Sequence, residues 1–176
     1  TNYNTYHTLQ KQQSANDKGK YYRYEKDVRV TNNDAMLQNY PSSSLFSSTS
    51  NGLVNAFYNK YGLKNSKVFY SYEGATPFTS AMLSTRYFFS KEADLNDSLF
   101  QKIDTENDIS LYENTYSLPL GFMIYPGTQE EKELIEDEET AFAIIRGDSS
   151  AINDDDMLNP VERQNLLAVQ LGAAGN

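Results

Sequence analysis

The apolar residues of this chain never run long and never keep one period for long. Short strand-like stretches alternate with stretches of helical spacing, and clusters of Gly, Pro, Asn and Ser separate them. Tyr21 to Val30 alternates and is rich in Tyr and Val, which predicts a strand ended by Asn32, Asn33 and Asp34. Val68 to Tyr72 and Arg86 to Ser90 read as further strands, the second a core strand with Tyr87, Phe88 and Phe89 in sequence. Leu99–Asp104 and Ile109–Glu113 flank the polar Thr105–Asp108 and predict a β-hairpin, and Leu120 to Tyr125 predicts another strand. No strict strand–helix–strand alternation appears. The expected class is therefore α+β, a single domain with a mixed or antiparallel sheet and roughly three to four helices.

The helices carry their own start and stop signals. Asn51 to Tyr61 places Leu53, Val54, Phe57 and Tyr61 on one face, with Gly62 as a left-handed stop and Leu63 as its hydrophobic contact. Thr76 and Pro77 open a second helix with a buried stripe of Phe78, Ala81 and Met82. Thr128 with Glu131 predicts an acidic helix carrying Leu134, Ile135 and Phe142, with Gly147 as its natural stop. Asn159, Pro160 and Glu162 combine cap, first-turn proline and capping-box carboxylate ahead of Leu166, Leu167 and Val169. Residues 1–20 are polar with few apolar anchors and read as a flexible lead-in, 21–171 as the folded domain and 172–176 as a truncated tail. The Ser-rich stretch Pro41 to Gly52 reads as a loop too polar to bury.

Composition narrows the chemistry. With no Cys, a disulfide scaffold, a thiolate nucleophile and a Cys-based zinc site are excluded. His7 is the only histidine, which excludes a His-based triad or a multi-His metal site. Gly-x-Ser-x-Gly, Ser-x-x-Lys and Gly-x-Gly are all missing, so the common serine nucleophiles and nucleotide cradles lack their local signatures. No run approaches the roughly eighteen apolar residues that cross a bilayer as a helix. No cofactor is expected in this segment.

The net charge of −9 is unevenly spread. Residues 1–90 hold 10 Lys/Arg against 5 Asp/Glu, whereas residues 91–176 hold 5 against 19. Nucleic acid is not an expected partner of so acidic a chain. The basic residues Lys18, Lys20, Arg23, Lys26 and Arg29 are candidate contacts for a polyanion. Tyr21, Tyr22 and Tyr24, and separately Tyr70 and Tyr72, offer rings that stack on sugar faces. Glu113, between Tyr112 and Asn114 at the predicted hairpin edge, is a candidate functional acid, although such carboxylates usually bond locally. The acids of 130–139 read as the solvated face of a helix, and Asp154–Asp156 lack the spacing of a calcium loop. No catalytic residue and no metal ligand is assigned.

Six segments follow one another in order: Asn33-Asp-Ala-Met-Leu-Gln-Asn-Tyr40, Ser47-Ser-Thr-Ser50, Thr76-Pro-Phe-Thr-Ser-Ala-Met-Leu83, Arg86-Tyr-Phe-Phe-Ser90, Leu111-Tyr-Glu-Asn-Thr-Tyr-Ser-Leu-Pro-Leu-Gly-Phe-Met123 and Asn159-Pro-Val-Glu-Arg-Gln-Asn-Leu-Leu167. In that order and spacing they resemble the YfhO family of bacterial membrane proteins. Together they cover roughly residues 21–171. The resemblance implies a polytopic parent with a large extracytoplasmic portion, similar to GT-C type glycosyltransferases that take a sugar from a polyprenyl-phosphate carrier to cell-envelope polymers such as lipoteichoic acid. In that class the catalytic carboxylate lies in an early loop between membrane helices, so none transfers to a position here. The implied partners are the membrane portion of the same parent and a cell-envelope glycopolymer. The stretch between Pro126 and Met157 departs from the family pattern as an acidic insertion.

Overall fold

The computed structural model describes residues 3–17, 20–27, 29–92, 95, 99–123 and 159–170. The predicted acidic helix and the Asp154–Asp156 loop lie outside the described residues, as do Lys18 and the tail 172–176. The fold is α+β. The chain divides into two compact units, the first made of Thr1–Phe46 with Thr79–Gly121 and the second of Ser47–Phe78 with Phe122–Asn176.

Unit 1 is built on a mixed four-stranded sheet with β1 (Arg23–Lys26) and three strands from later in the chain: β5 (Thr85–Ser90), β6 (Phe100–Glu106) and β7 (Ile109–Asn114). Its order is β1-β5-β7-β6, with β1 parallel to β5 and the other pairs antiparallel. The hairpin expected around residues 105–108 is present, closed between Glu106 and Ile109 with Asn107 in the left-handed region at φ 55°. Asparagine tolerates that region better than most residues, and its side chain donates to the Thr5 hydroxyl at 3.0 Å. Strand β7 is internal, so Glu113 sits inside the sheet and not on its edge.

Within the predicted flexible lead-in 1–20, the described residues 3–17 are ordered. Tyr3–Asn16 forms a helix, α1, which packs on β6 and β7 and buries Thr5, Tyr6 and Leu9. Its Gln, Lys and Ala residues favour a helix, and tertiary packing of Tyr6 and Leu9, three residues apart, supplies the rest. The core that α1 completes is unusually aromatic. The Tyr24 ring stacks on Tyr87 at 4.7 Å and on Phe89 at 5.6 Å, and Tyr6 meets Phe89 edge-on at 5.0 Å. Tyr40, Ile109 and Leu111 close the cluster.

Ionised side chains are buried beside that core. Glu25, 1% exposed, accepts from the Ser42, Ser43 and Ser44 hydroxyls at 2.7, 2.6 and 3.2 Å and from the Ser43 N–H at 2.7 Å. Arg29 completes its shell at 2.8 Å. The Ser-rich stretch therefore does not stay at the surface as expected: Ser43 and Ser44 are buried because a carboxylate inside the unit collects their donors. Lys26, also buried, pairs with Asp34 at 2.6 Å. Burial alone would raise the Asp34 carboxyl, but the Lys26 ammonium and the N–H groups of Val30 and Thr31 outweigh it and hold the group below its ordinary value. Asp34 opens a short helix unmarked in the sequence, α2 (Asp34–Gln38), which ends at Asn39 with φ 57°.

The strand β2 (Leu45–Phe46) ends the first stretch of unit 1. In unit 2, α3 (Gly52–Lys60) starts on Asn51, whose side chain accepts the Leu53 N–H. It stops as its sequence predicts: Gly62 has φ +67°, its N–H donates to the Asn59 carbonyl and the Leu63 N–H to that of Tyr58. Tyr61 and Leu63 are buried as expected, but Tyr58 is also buried while Leu53, expected on the inward face, is 61% exposed. A hairpin of β3 (Asn65–Ser66) and β4 (Phe69–Tyr70) follows. Helix α4 (Pro77–Met82), whose residues from Thr79 on belong to unit 1, begins at its expected proline and buries the expected Ala81 together with Thr79 and Ser80. The strand predicted from Leu120 is not found over residues 120–123, which are irregular and exposed.

The last helix, α5 (Pro160–Gln170), carries the expected capping box, with the Asn159 side chain accepting two N–H groups and Glu162 accepting the Asn159 N–H at 2.8 Å. Gln164 is fully buried and donates to the carbonyls of Tyr61 and Gly74, both at 2.9 Å, while accepting from the Thr76 N–H at 2.8 Å. Pro160 lies so close to Gly62 that a Cβ there would come within 2.2 Å of it.

Candidate functional site: a tyrosine-lined cleft

Unit 1 holds a half-open cleft of about 190 Å³ where the end of α1 meets the approach to β1. Ser14, Asp17, Lys20, Tyr21, Tyr22, Tyr24 and Pro41 line it. Pockets for drug-sized ligands run roughly 300–1,000 Å³, so this one suits a single small ring or the end of a chain.

Its parts come from separate causes. Helix α1 places Ser14 and Asp17 one turn apart, and the Lys20 N–H donates to the Asp17 carbonyl at 2.8 Å, which fixes the turn into β1. The Tyr87 hydroxyl donates to the Asp17 carboxylate at 2.6 Å, tying the cleft to β5. The Tyr24 N–H donates to the Pro41 carbonyl at 2.8 Å and holds the opposite wall. Burial pushes the Tyr24 hydroxyl up to about 12, with the Ser14 hydrogen bond opposing and the nearby Asp17 reinforcing the shift. The Tyr87 hydroxyl is raised further still, by burial and then by its bond to Asp17.

Tyr22 is held from behind. The Arg86 guanidinium lies 4.4 Å from its ring centre, and Arg86 is itself paired with Glu113 at 2.6 Å. Burial alone would lower the guanidinium, yet Tyr87, Glu113 and Tyr22 keep it above its ordinary value. Glu113, the candidate functional acid, is thus the partner of a cation that braces a cleft wall.

The other candidates part company here. Lys20 and the three tyrosines come together in the cleft, where Tyr21 is 52% exposed and Tyr24 only 3%. Arg23 turns away and donates to the Leu83 carbonyl at 2.7 Å. Lys26 and Arg29 are committed to Asp34 and Glu25. Of the basic set, Lys20 alone lines the cleft among the described residues. Ser14, Asp17, Pro41 and Arg86 were not singled out from the sequence. The helical spacing of Tyr6 and Leu9 is the signal that would have ordered residues 3–17 and brought Ser14 and Asp17 into consideration. In unit 2, Tyr70 packs on Tyr58 at 4.9 Å.

The arrangement offers a ring face at Tyr21, hydroxyl and carboxylate hydrogen-bonding groups at Ser14 and Asp17, and one exposed cation at Lys20. That is the equipment for holding a neutral polyhydroxylated ring by stacking and hydrogen bonds.

Comparison with known families places the chain in the class of bacterial membrane proteins. The family model described as bacterial membrane protein YfhO matches residues 1–167, and the chain belongs to the YfhO family. No curated protein and no solved structure matches it. Among the described residues no helix is long and apolar enough to cross a membrane. The segments that carry the resemblance fall on α2, the approach to α3, α4, β5, β7 with its following turn, and α5.

Proposed function

We propose that this chain is an accessory extracytoplasmic domain of a YfhO-like polytopic membrane glycosyltransferase that acts in cell-envelope glycosylation, lipoteichoic acid being the implied acceptor. In this reading it holds part of a glycan and the membrane portion of the same parent performs the transfer from a polyprenyl-phosphate sugar. The observation that carries the reading is the cleft: an exposed Tyr21 ring beside Ser14, Asp17 and Lys20, in a volume matched to one sugar ring. Family membership supports the setting at a bacterial membrane.

The cleft favours the neutral part of a glycopolymer over its phosphates. Asp17 repels an anion, and three of the five cations expected to attract one are committed to internal partners, Lys26 and Arg29 to carboxylates and Arg23 to a carbonyl, which leaves Lys20 in the cleft. A carbohydrate-binding module that uses its clustered tyrosines is the alternative, and the same cleft serves it.

The test is an NMR titration of the chain with neutral glycans and with purified teichoic acid, each at two salt concentrations. Salt-insensitive shifts centred on Ser14, Asp17, Tyr21 and Tyr22 support glycan holding. Absence of shifts at millimolar ligand removes the reading. Salt-sensitive shifts away from the cleft return the polyanion contact to first place.

A further inference from the structure

Unit 1 carries a second feature, independent of the cleft, that its own packing does not use. Val30, Met36 and Leu37 are 87%, 70% and 67% exposed, Val30 in the turn that precedes α2 and the other two within that short helix. That segment is held firmly. The Asp34 carboxylate accepts the N–H groups of Val30 and Thr31 at 2.8 and 2.9 Å and the Thr31 hydroxyl at 3.1 Å, while Lys26 pairs with it from below. The Asn33 side chain accepts the N–H of Phe46 at 2.8 Å, bringing a fourth half-exposed apolar residue to the same place. A buried ion pair thus fixes apolar side chains in water, where they contribute nothing to folding.

The charge pattern is equally particular. The chain has a net charge of −9, yet between Val30 and Asn39 its one ionised side chain is Asp34, which is buried. The exposed surface of this knob is therefore uncharged.

We propose that the knob inserts into the boundary between headgroups and acyl chains of a lipid bilayer. A few apolar tips reach that boundary, because interfacial elements penetrate only roughly 5–10 Å. A stable protein partner asks for about 800 Å² from each side, which four apolar residues on a turn, a five-residue helix and the end of β2 do not supply. The chain's family is one of membrane proteins, so a bilayer lies within reach of the parent. The lipid this surface fits is zwitterionic, since it offers no free cation to an anionic headgroup. Insertion also positions the cleft: Leu37 and the lining residue Pro41 are four residues apart, so their Cα atoms lie within about 15 Å.

The test uses the 176-residue chain with phosphatidylcholine vesicles near physiological salt. The L37W variant places the chain's only Trp at the tip. Its emission is expected to shift to the blue with added lipid and to be quenched by brominated acyl chains. The V30S/M36S/L37S variant is expected to partition at least about tenfold less, with unchanged circular dichroism and melting, because the altered side chains are exposed. An indole that stays in water at millimolar lipid overturns the proposal. So does partitioning that ignores the triple substitution. Self-association in sedimentation that the triple variant abolishes, with no vesicle binding by either form, assigns the surface to a second copy and overturns it as well.

Discussion

Unit 1 and unit 2 each bury both charged and amide side chains, Asn114 being an amide of unit 1 and Lys60 a cation of unit 2, but their central polar clusters differ. In unit 1 ions are prominent: Glu25 inside a shell of three serines and Arg29, and Lys26 against Asp34. In unit 2 the central group is a neutral amide, Gln164, that joins the end of α3, the loop at Gly74 and the start of α4 through backbone hydrogen bonds. An ion in a low-dielectric interior is costly unless every partner is in place, whereas an amide needs only its own few bonds. Buried ions therefore tie a structure to one arrangement more strictly than they raise its net stability. That strictness lies where the surface features lie, since the same segment, Tyr24 to Pro41, supplies the buried ions, the exposed apolar knob and two lining residues of the cleft.

The contrast is tested most severely at Glu25. Replacing it by Ala leaves the Ser43 N–H without its acceptor, and Arg29 loses its carboxylate partner. E25A is expected to lose about 3–5 kcal/mol in urea unfolding. The amide clamp predicts a smaller, differently distributed effect. Q164A leaves two carbonyls and one N–H without this partner and is expected to cost about 2–4 kcal/mol. Hydrogen exchange should then rise first at α5 and at Thr76, with the unit 1 sheet still protected. Equal losses in both variants, spread over the whole chain, would erase the distinction between the units.

The parts of the fold that sequence made legible are those fixed by local signals. The proline and capping box of α5, the glycine stop of α3 and the aromatic run of β5 each depend on neighbours in the chain, and each appears where expected. What escaped is fixed by residues distant in sequence. Helix α1 is polar along most of its length, and Tyr6 and Leu9 become anchors only because β5 and β7 offer Phe89, Ile109 and Leu111. Ser43 and Ser44 read as surface residues until Glu25, eighteen and nineteen positions earlier, is placed beside them. The cleft divides in the same way. Tyr21, Tyr22, Tyr24 and Lys20 form a visible cluster, whereas Asp17 joins them through a helix that composition concealed. Lys26 and Arg29 show the reverse case: a run of positive charge reads as a patch only until its acceptors are known.

The aromatic core of unit 1 adds a pH prediction. Burial is the largest cause that pushes the Tyr6 and Tyr24 hydroxyls from 10.0 up to about 12, and it also raises Tyr40 and Tyr87. A phenol whose folded value lies above its unfolded one contributes stability that is complete below pH 10 and is lost as pH rises through about 12. Unfolding free energy is expected to fall between those limits, in step with tyrosinate absorbance. In Y24F the falling limb should be shallower, because one of the groups that must ionise is gone. A limb of unchanged slope would mean that Tyr24 takes up no part of the alkaline transition.

Tyr21 gives the smallest effect on stability and the most direct check on the cleft. Its ring is half exposed and lies outside the aromatic core, so Y21A is expected to stay within about 0.5 kcal/mol of the wild type. Tyr22 provides the reference, because its ring also covers the Arg86 guanidinium and Y22A should cost about 0.5–1 kcal/mol more. If Tyr21 is a stacking platform, Y21A removes the glycan-induced shifts at Ser14 and Asp17 while melting is unchanged. If the ring is ordinary core, melting falls and the shifts, where present, persist. The two outcomes separate a residue kept for a ligand from one kept for the fold, because Tyr21 is the lining tyrosine whose ring is free of the core that the others help to build.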